Sequence, residues 1–226
     1  MSDMNASASA AVAVNLQRVL QRVTDLATKS ARPTARLVAV SKTKPAELVM
    51  ACYEIGHRHF GENYIQELEE KANLLQTTCP DLKWHFIGRI QSNKIKKICQ
   101  IPNLWCVETI DNKDHFNTSG EQNKGGIDMA EAPILADHVV KNCPDLKLIG
   151  LMTIGSIDES SKREANADFE SLIQIRKSVC EKLDKPEETM ELSMGMSNDF
   201  ELAIEYGSTN IRVGSSIFGA RAYPPK

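Results

Sequence analysis

Apolar and polar positions along the chain follow two spacings. Between residues 12 and 27 the apolar positions recur every three or four residues, which is the spacing of an amphipathic helix. The next apolar run, residues 37–40, is continuous and is typical of a strand buried on both faces. Strand-like and helix-like segments then alternate with short connections, and this alternation predicts a parallel sheet. Seven strands are expected, at residues 37–41, 59–63, 84–88, 104–109, 146–154, 191–197 and 211–216.

Repeated strand–helix units predict an α/β fold and favour a (β/α)8 TIM barrel, with a doubly wound open sheet as the alternative. The connection after the fourth strand departs from this plan, because a parallel strand needs a crossover of about a dozen residues. Residues 111–116 are too few to hold a crossover helix and another strand. We therefore expect either an open sheet or a barrel that is one βα unit short. We also expect residues 1–14 to be a disordered lead and residues 15–226 to form a single domain.

Composition argues against several classes of function. The net charge of −3 gives no broad cationic surface for nucleic acid or anionic lipid, and no apolar run approaches the length of a transmembrane helix. The six cysteines form no CxxC pair, so we expect reduced thiols and no metal site. No Lys or Arg precedes Arg18, which argues against a signal or transit peptide. We expect a cytoplasmic monomer, with a mitochondrial pool as an alternative.

The first candidate for chemistry is Lys42, which follows the buried run 37–40 almost directly. Ligands bind at the carboxyl ends of parallel strands in α/β folds. A lysine that is partly stripped of water there presents more of its neutral amine, which is the form that attacks carbonyl groups. The alternative is that Lys42 extends its amine into solvent, as most lysines at strand ends do. On this stretch alone, the alternative is favoured.

Glycine and serine residues follow the last two strands. Gly214 and Ser215 end the final strand, where barrels often bind phosphate through backbone N–H groups and a helix N-terminus. The preceding strand ends in SMGMS at residues 193–197, which is also small and hydroxylated. Arg212, within the final strand, needs an ionic partner or a ligand, and the two explanations are about equally favoured. Asn63, after the second strand, either orients a ligand or caps the next helix, and capping is the more common role.

A strand-end lysine, a phosphate-binding turn and a strand arginine together suggest one type of ligand. A phosphorylated aldehyde held as an imine would use all three, and pyridoxal 5′-phosphate (PLP) is the leading candidate. In these residues and their neighbours, the chain resembles the pyridoxal phosphate homeostasis protein family, also called the proline synthetase co-transcribed or YggS-like proteins. The matching stretches follow the family's order over nearly the whole chain: LVAVSKTKP (37–45), FGENY (60–64), WHFIG (84–88), GLMTIG (150–155), LSMGMS (192–197) and RVGSSIFG (212–219).

The resemblance implies a fold like the N-terminal barrel of alanine racemase, with PLP held as an imine by Lys42 and Lys44 as a neighbouring lysine. It also implies that serine and glycine residues hold the phosphate, that Arg212 lies near the ring and phosphate, and that Met194 and Asn63 line the pocket. The implied cofactor-binding residues are Lys42, Asn63, Ser193, Met194, Ser197, Arg212, Gly214 and Ser215.

The resemblance also implies a function. Members of this family are thought to buffer and deliver PLP and to maintain vitamin B6 and amino-acid homeostasis, with PLP-dependent apoenzymes as candidate recipients and no established catalysis. Racemase-like enzymes use a second, β-rich domain with a tyrosine base, and the seven residues after Gly219 cannot form one, so we expect no catalytic residues. The alternatives are a minimal PLP-dependent racemase-like enzyme and an inactive splice form. The splice form is considered because the family has a helix and a strand between residues 108–111 and 117–120 that this sequence lacks.

Overall fold

A computed structural model describes residues 2–109, 129–160 and 165–220. Within them, strands and helices alternate as the sequence predicts. The strands are β1 (Arg36–Val40), β2 (His59–Glu62), β3 (Lys83–Phe86), β4 (Leu104–Val107), β5 (Gly150–Met152), β6 (Glu191–Ser193) and β7 (Asn210–Val213). The helices are α1 (Ser2–Ser30), α2 (Ala46–Glu54), α3 (Ile65–Leu75), α4 (Ile95–Ile98), α5 (Ala132–Asn142), α6 (Ile157–Ser160), α7 (Ala167–Leu183), α8 (Phe200–Glu205) and α9 (Ser215–Phe218), with 3-10 turns at Ser92–Lys94 and Glu187–Thr189.

The seven strands form one parallel sheet in the order β4-β3-β2-β1-β7-β6-β5. β1 lies at the centre of the sheet and pairs with β2 on one side and β7 on the other. Among the described residues, β4 and β5 are the two edges, and each pairs with one neighbour. This is the strand order of a parallel barrel that is open between its fourth and fifth strands. The expected α/β barrel with one βα unit missing is confirmed.

Contacts between distant strands show that the sheet curls. Val38 of β1, Ile87 after β3 and Met152 of β5 belong to one buried cluster. β3 and β5 are five positions apart in the sheet, which would separate them by roughly 24 Å in a flat sheet with about 4.8 Å between strands. A shared cluster therefore requires a curved sheet, and the cluster lies on its concave side.

The helices cover the convex side of the sheet. Leu37 and Ala39 alternate with Val38 along β1 and join a large core with α1 and α2. A second core lies over β5 and β6, where α7 contributes Phe169 and Leu172. Residues 37–40 are apolar at every position because successive side chains enter cores on opposite faces of the sheet. None of the described helices is both long enough and apolar enough to span a membrane.

The N-terminal helix differs from the sequence prediction. α1 begins at Ser2, so helical structure starts within the segment that we expected to be a disordered lead. Val12 is 5% exposed and packs in the main core together with Leu16 and Val19. The helix therefore continues towards the N-terminus because its apolar face is already buried at Val12. That residues 15–226 form a single domain stays a prediction.

Two other boundaries differ, and some predicted features are not described. β5 covers three residues rather than 146–154, and Leu146 is 53% exposed, so the apolar run before the strand does not join the sheet. The sequence pattern also predicts a helix over residues 128–141, and α5 covers Ala132–Asn142. The short connection expected at residues 111–116 and the turn-like sequence at 117–120 lie outside the described residues.

Replacing Leu16 should show that α1 is part of the folded core. Leu16 is fully buried, so Leu16→Ala should lower the free energy of unfolding by about 3 kcal/mol through lost apolar burial and a cavity. Val14, on the exposed side of the same helix, is the matched control, and Val14→Ala should change it by less than about 0.5 kcal/mol. Urea unfolding followed by circular dichroism measures both. Equal, small effects would show that α1 does not pack on the core.

Candidate functional site

Lys42 lies in a tight turn that follows β1 at the carboxyl edge of the sheet. The N–H of Lys44 donates to the carbonyl oxygen of Ser41 over 3.1 Å, and Thr43 has a left-handed φ of 60°. A β-branched residue is rare in this region of φ, so the surrounding structure must hold the turn. The turn fixes the backbone of Lys42, whose half-buried side chain reaches a cavity.

The cavity has a volume of about 400 Å³ and opens at the same edge of the sheet. Its walls come mainly from the segments that follow β1, β2, β6 and β7, because the carboxyl ends of these parallel strands meet there. Six of the eight residues predicted to bind a cofactor line it: Lys42, Asn63, Ser197, Arg212, Gly214 and Ser215. The structure thus brings these residues together, and their individual roles in binding stay predictions.

Ser193 and Met194 do not line this cavity. Met194 is fully buried in the second core, and Ser193 belongs to a polar network beneath the cavity. Gly195 has a φ of 96°, which breaks the alternation of side chains after β6, and Met196 lines the cavity instead. Ile154 adds an apolar wall that the sequence analysis did not single out. The sequence signal that could have identified Ile154 is its position just after β5.

Two backbone N–H groups at the start of α9 point to the hydroxyl of Ser197. Ser197 Oγ accepts from the N–H of Gly214 at 3.2 Å and from the N–H of Ser216 at 3.4 Å. Both distances are at or beyond the long end for N–H···O hydrogen bonds, so a stronger acceptor would compete well for these donors. A Cβ at Gly214 would lie 3.3 Å from the carbonyl oxygen of Val40, so this turn lies close against β1. Converging N–H groups and a hydroxyl suit an anionic oxygen.

Asn63 is held at the cavity wall by the close approach of Gly88. A Cβ at Gly88 would lie 1.9 Å from the carbonyl oxygen of Asn63, so a larger residue would displace one of these segments. α3 has Tyr64 as its N-cap and no side-chain capping bond, so the common capping role is not the one that Asn63 has. Asn63 Oδ1 is buried and has no hydrogen-bond partner among the described residues. A buried acceptor without a partner is costly, and a donor on a ligand would satisfy it.

Arg212 combines the two roles that the sequence left open. It is 3% exposed, and its guanidinium donates to Ser193 Oγ at 2.5 Å and to the carbonyl oxygen of Thr153 at 2.6 Å. Glu108 Oε2 lies 3.9 Å away. Burial lowers the pKa of Arg212, whereas the charges of Glu108 and Asp199 oppose that shift. Because Arg212 also lines the cavity, it presents a cation there whose position is set by partners inside the sheet.

Glu108 is the centre of the polar network inside the curled sheet. It accepts hydrogen bonds from His85 Nδ1 at 2.7 Å and from Ser193 Oγ at 2.6 Å. His85 Nε2 lies 2.8 Å from His59 Nδ1. Burial alone would raise the pKa of Glu108, but the hydrogen bond from His85 and the charge of Arg212 lower it to about 2. Sequence analysis missed this network because its members come from separate strands and share no local motif.

The cavity therefore combines a lysine amine, a group of hydrogen-bond donors that suit an anion, and a fixed cation. These groups suit a small, anionic compound with a carbonyl group, since the amine can react with the carbonyl while the donors hold the anion. In the part of the chain that the structure describes, no group of three or more His, Cys, Asp and Glu side chains is arranged to hold a metal ion.

Several known proteins align with most of this chain. A family model described as "Alanine racemase, N-terminal domain" matches residues 115–222. The pyridoxal phosphate homeostasis protein of Caenorhabditis elegans is 48% identical over 236 aligned positions, which cover 94% of this chain and 97% of the relative. An unknown protein from Bifidobacterium adolescentis has a similar crystal structure, with a TM-score of 0.81, 31% identity and coverage of 94% of this chain and 96% of that one. PipY of Synechococcus elongatus PCC7942 with PLP bound gives a TM-score of 0.65 and 30% identity, covering 89% of this chain and 100% of PipY.

The alignment with the Caenorhabditis elegans protein also bears on the open sheet. It has 236 positions, which is more than the 226 residues of this chain, so it includes residues of the relative that have no counterpart here. Extra residues in that relative agree with the open edge between β4 and β5 in the described part of the sheet.

Glu108→Gln should destabilise the fold in a pH-dependent way. The ionised carboxylate is paired with His85 and Arg212, so its replacement should cost about 3 kcal/mol of unfolding free energy at pH 7. Its pKa is lowered from 4.5 to about 2 in the fold, so the ionised form stabilises the protein above pH 4.5 and loses that effect as the pH falls towards 2. The difference between wild type and variant should therefore shrink over that range. Unfolding curves at several pH values measure it, with the exposed Glu205→Gln as the control. A difference that is independent of pH would contradict the assigned ionisation.

Proposed function

This chain belongs to the pyridoxal phosphate homeostasis protein family, and we propose that it binds PLP at Lys42 and buffers and delivers it, without turning over a substrate. The proposed role is the maintenance of vitamin B6 and amino-acid homeostasis. PLP-dependent apoenzymes are the proposed recipients, and the proposed form is a cytoplasmic monomer.

The observation that carries the proposal is the position of the Lys42 amine in the same cavity as a set of anion-binding donors. When bound, PLP supplies an aldehyde that condenses with an amine and a phosphate that needs hydrogen-bond donors. Lys42 would hold the aldehyde end. The N–H groups of Gly214 and Ser216, with the hydroxyl of Ser197, would hold the phosphate.

Two further features of the cavity fit this cofactor. Asn63 Oδ1, which has no partner among the described residues, would accept a hydrogen bond from a polar group of the bound molecule. Arg212 would add positive charge beside a ligand that carries a negative phosphate. PLP bound to PipY, which is 30% identical to this chain, supports the same assignment.

The groups around the cavity favour a carrier over a racemase. A racemase must remove a proton from one face of the substrate and return one to the other, which needs two acid–base groups. Among the described lining residues the candidates are Lys42, Lys44 and Asp199. Lys44 Nζ donates to the carbonyl oxygen of Ala220 at 2.9 Å, and Asp199 Oδ1 accepts from the N–H of Met196 at 2.6 Å. Both groups therefore hold loops in place, and Lys42 would itself be joined to the cofactor.

Lys42→Ala should abolish the covalent adduct with PLP. The purified protein is incubated with PLP, its visible absorbance is recorded, and the adduct is reduced with borohydride and located by mass spectrometry. Lys44→Ala is the matched control and should keep the adduct, because Lys44 is engaged with Ala220. An adduct that persists in Lys42→Ala would refute the assignment of Lys42. Turnover of any amino acid in a broad panel, if it depended on Lys42, would refute the proposal of a carrier.

Ser197→Ala should weaken binding of the phosphate in particular. Loss of one hydroxyl at the anion-binding turn should lower the affinity for PLP by about tenfold, which corresponds to about 1.4 kcal/mol. Pyridoxal, which lacks the phosphate, should bind the variant and the wild type equally. Absorbance titrations with both compounds measure the two ratios. Equal losses for PLP and pyridoxal would show that Ser197 acts elsewhere than at the phosphate.

A further inference from the structure

A buried ammonium group lies directly behind the turn that carries Lys42. Lys71 of α3 is 6% exposed, and its Nζ donates to three oxygen atoms at 2.7 or 2.8 Å. The acceptors are the carbonyl oxygen of Ser41 and the Oε1 atoms of Glu62 and Glu67. A lysine ammonium has three donors, so all of them are used. A buried charge is costly without partners, so Nζ has to stay within hydrogen-bond distance of all three acceptors. Its position is therefore closely determined.

The same cluster holds the backbone on both sides of Lys42. Before it, Ser41 is bound twice: its carbonyl accepts from Lys71, and its Oγ donates to Glu62 Oε1 over 2.6 Å. After it, the N–H of Thr43 donates to Glu67 Oε1 over 2.7 Å. Both neighbours of Lys42 are therefore tied to one ammonium, either directly or through a carboxylate that it binds.

Stability alone does not explain this cluster. A buried ion pair often stabilises a fold no better than apolar residues of similar volume. Glu62 is fully buried, and its Oε2 has no hydrogen-bond partner among the described residues, which adds a further cost. Thr43 keeps an unfavourable left-handed φ in the same turn. Costly features that converge on the two neighbours of one residue indicate that the position of that residue matters.

We infer that Lys71, together with Glu62 and Glu67, positions the Lys42 amine for its reaction with the aldehyde of PLP; this inference rests on the proposed function. In that reaction the amine nitrogen forms a C=N bond with the aldehyde carbon, and the two amine protons leave with the carbonyl oxygen as water. The three residues do not line the cavity, so they are positioning residues that act through Ser41 and Thr43. Displacement of a reacting group by about 1 Å can slow a reaction by about a hundredfold.

Glu67→Ala tests the inference with little risk to the fold, because the Glu67 side chain is 22% exposed. It removes the acceptor of the Thr43 N–H and should slow formation of the covalent PLP adduct by about tenfold, measured by stopped-flow absorbance. Glu70→Ala, in the same helix with an exposed side chain, is the matched control and should leave the rate unchanged. Glu67→Gln keeps an oxygen acceptor at this position and should recover most of the rate.

Pyridoxamine 5′-phosphate separates positioning from a general loss of structure. It carries the ring and the phosphate of PLP but has an amine in place of the aldehyde, so it reports on the cavity without the reaction of Lys42. Glu67→Ala should bind it within about twofold of the wild type. Lys71→Met should slow formation of the adduct at least as much as Glu67→Ala does. If Lys71→Met does not fold, Glu67→Ala alone tests the inference.

The other outcomes overturn either the inference alone or both proposals. An unchanged adduct rate in Glu67→Ala would refute positioning and leave the proposed function standing. If Glu67→Ala lowered the adduct rate and the affinity for pyridoxamine 5′-phosphate in parallel, Glu67 would have a structural role only. That result would also refute the positioning role. A wild-type protein that forms no adduct with PLP would refute the proposed function, and with it the inference that depends on it.

Discussion

Backbone hydrogen bonds between β1 and its two neighbours determine where the site forms. Val40 is in register with Gly61 of β2, and Ala39 is in register with Val213 of β7. The residues that follow these positions, Lys42, Asn63 and Gly214, therefore lie around one cavity although they are far apart in the sequence. A slip of one residue in either ladder would turn every side chain of that strand to the opposite face, so the site depends on this register.

The interior of the curled sheet is divided between an apolar cluster and a buried polar network. Val38, Ile87 and Met152 form the apolar part, which lies between distant strands. Glu108 and Arg212 lie at the centre of the polar part. Burial disfavours the charged form of each group, and the opposite charge of the other group opposes this effect. The two charges lie 3.9 Å apart, and each group also forms hydrogen bonds with residues of neighbouring strands and loops. A cation held in this way keeps its position without solvent, which is the condition under which a fixed charge acts most strongly.

Much of the fold follows from local pattern, and less of the site does. Continuous apolar runs such as 37–40 predict buried parallel strands, and the missing crossover after residue 111 predicts the open sheet. Lys42 and the turn at Gly214 could be found because they follow strands directly. The network of Glu108, His85 and His59 could not, because it depends on which strands become neighbours once the sheet curls. Met194 is buried in the second core and Met196 lines the cavity, because Gly195 changes the direction of the chain after β6.

Dependence on the packing of distant segments also explains why the sequence analysis did not identify Lys71 and Glu67 as site residues. On α3 they form an ordinary pair four residues apart, which usually indicates an exposed helix surface. Their importance depends on Ser41 and Thr43, which approach them only after β1 and β2 have paired. A charged pair on a helix is thus ambiguous until the strand edge that it meets is known.

The opening between β4 and β5 has a consequence for how the molecule comes apart. In a closed barrel every strand is held from two sides, so the sheet has to unfold as a unit. Here the described part of the sheet is a linear array, in which the outer strands can separate while the centre stays intact. Amide protons of β4 and β5 should therefore exchange with solvent through local opening, whereas those of β1 should exchange only through global unfolding. The candidate PLP site is built mainly on the ends of β2, β1, β7 and β6, so most of it should belong to the slowly exchanging part of the protein.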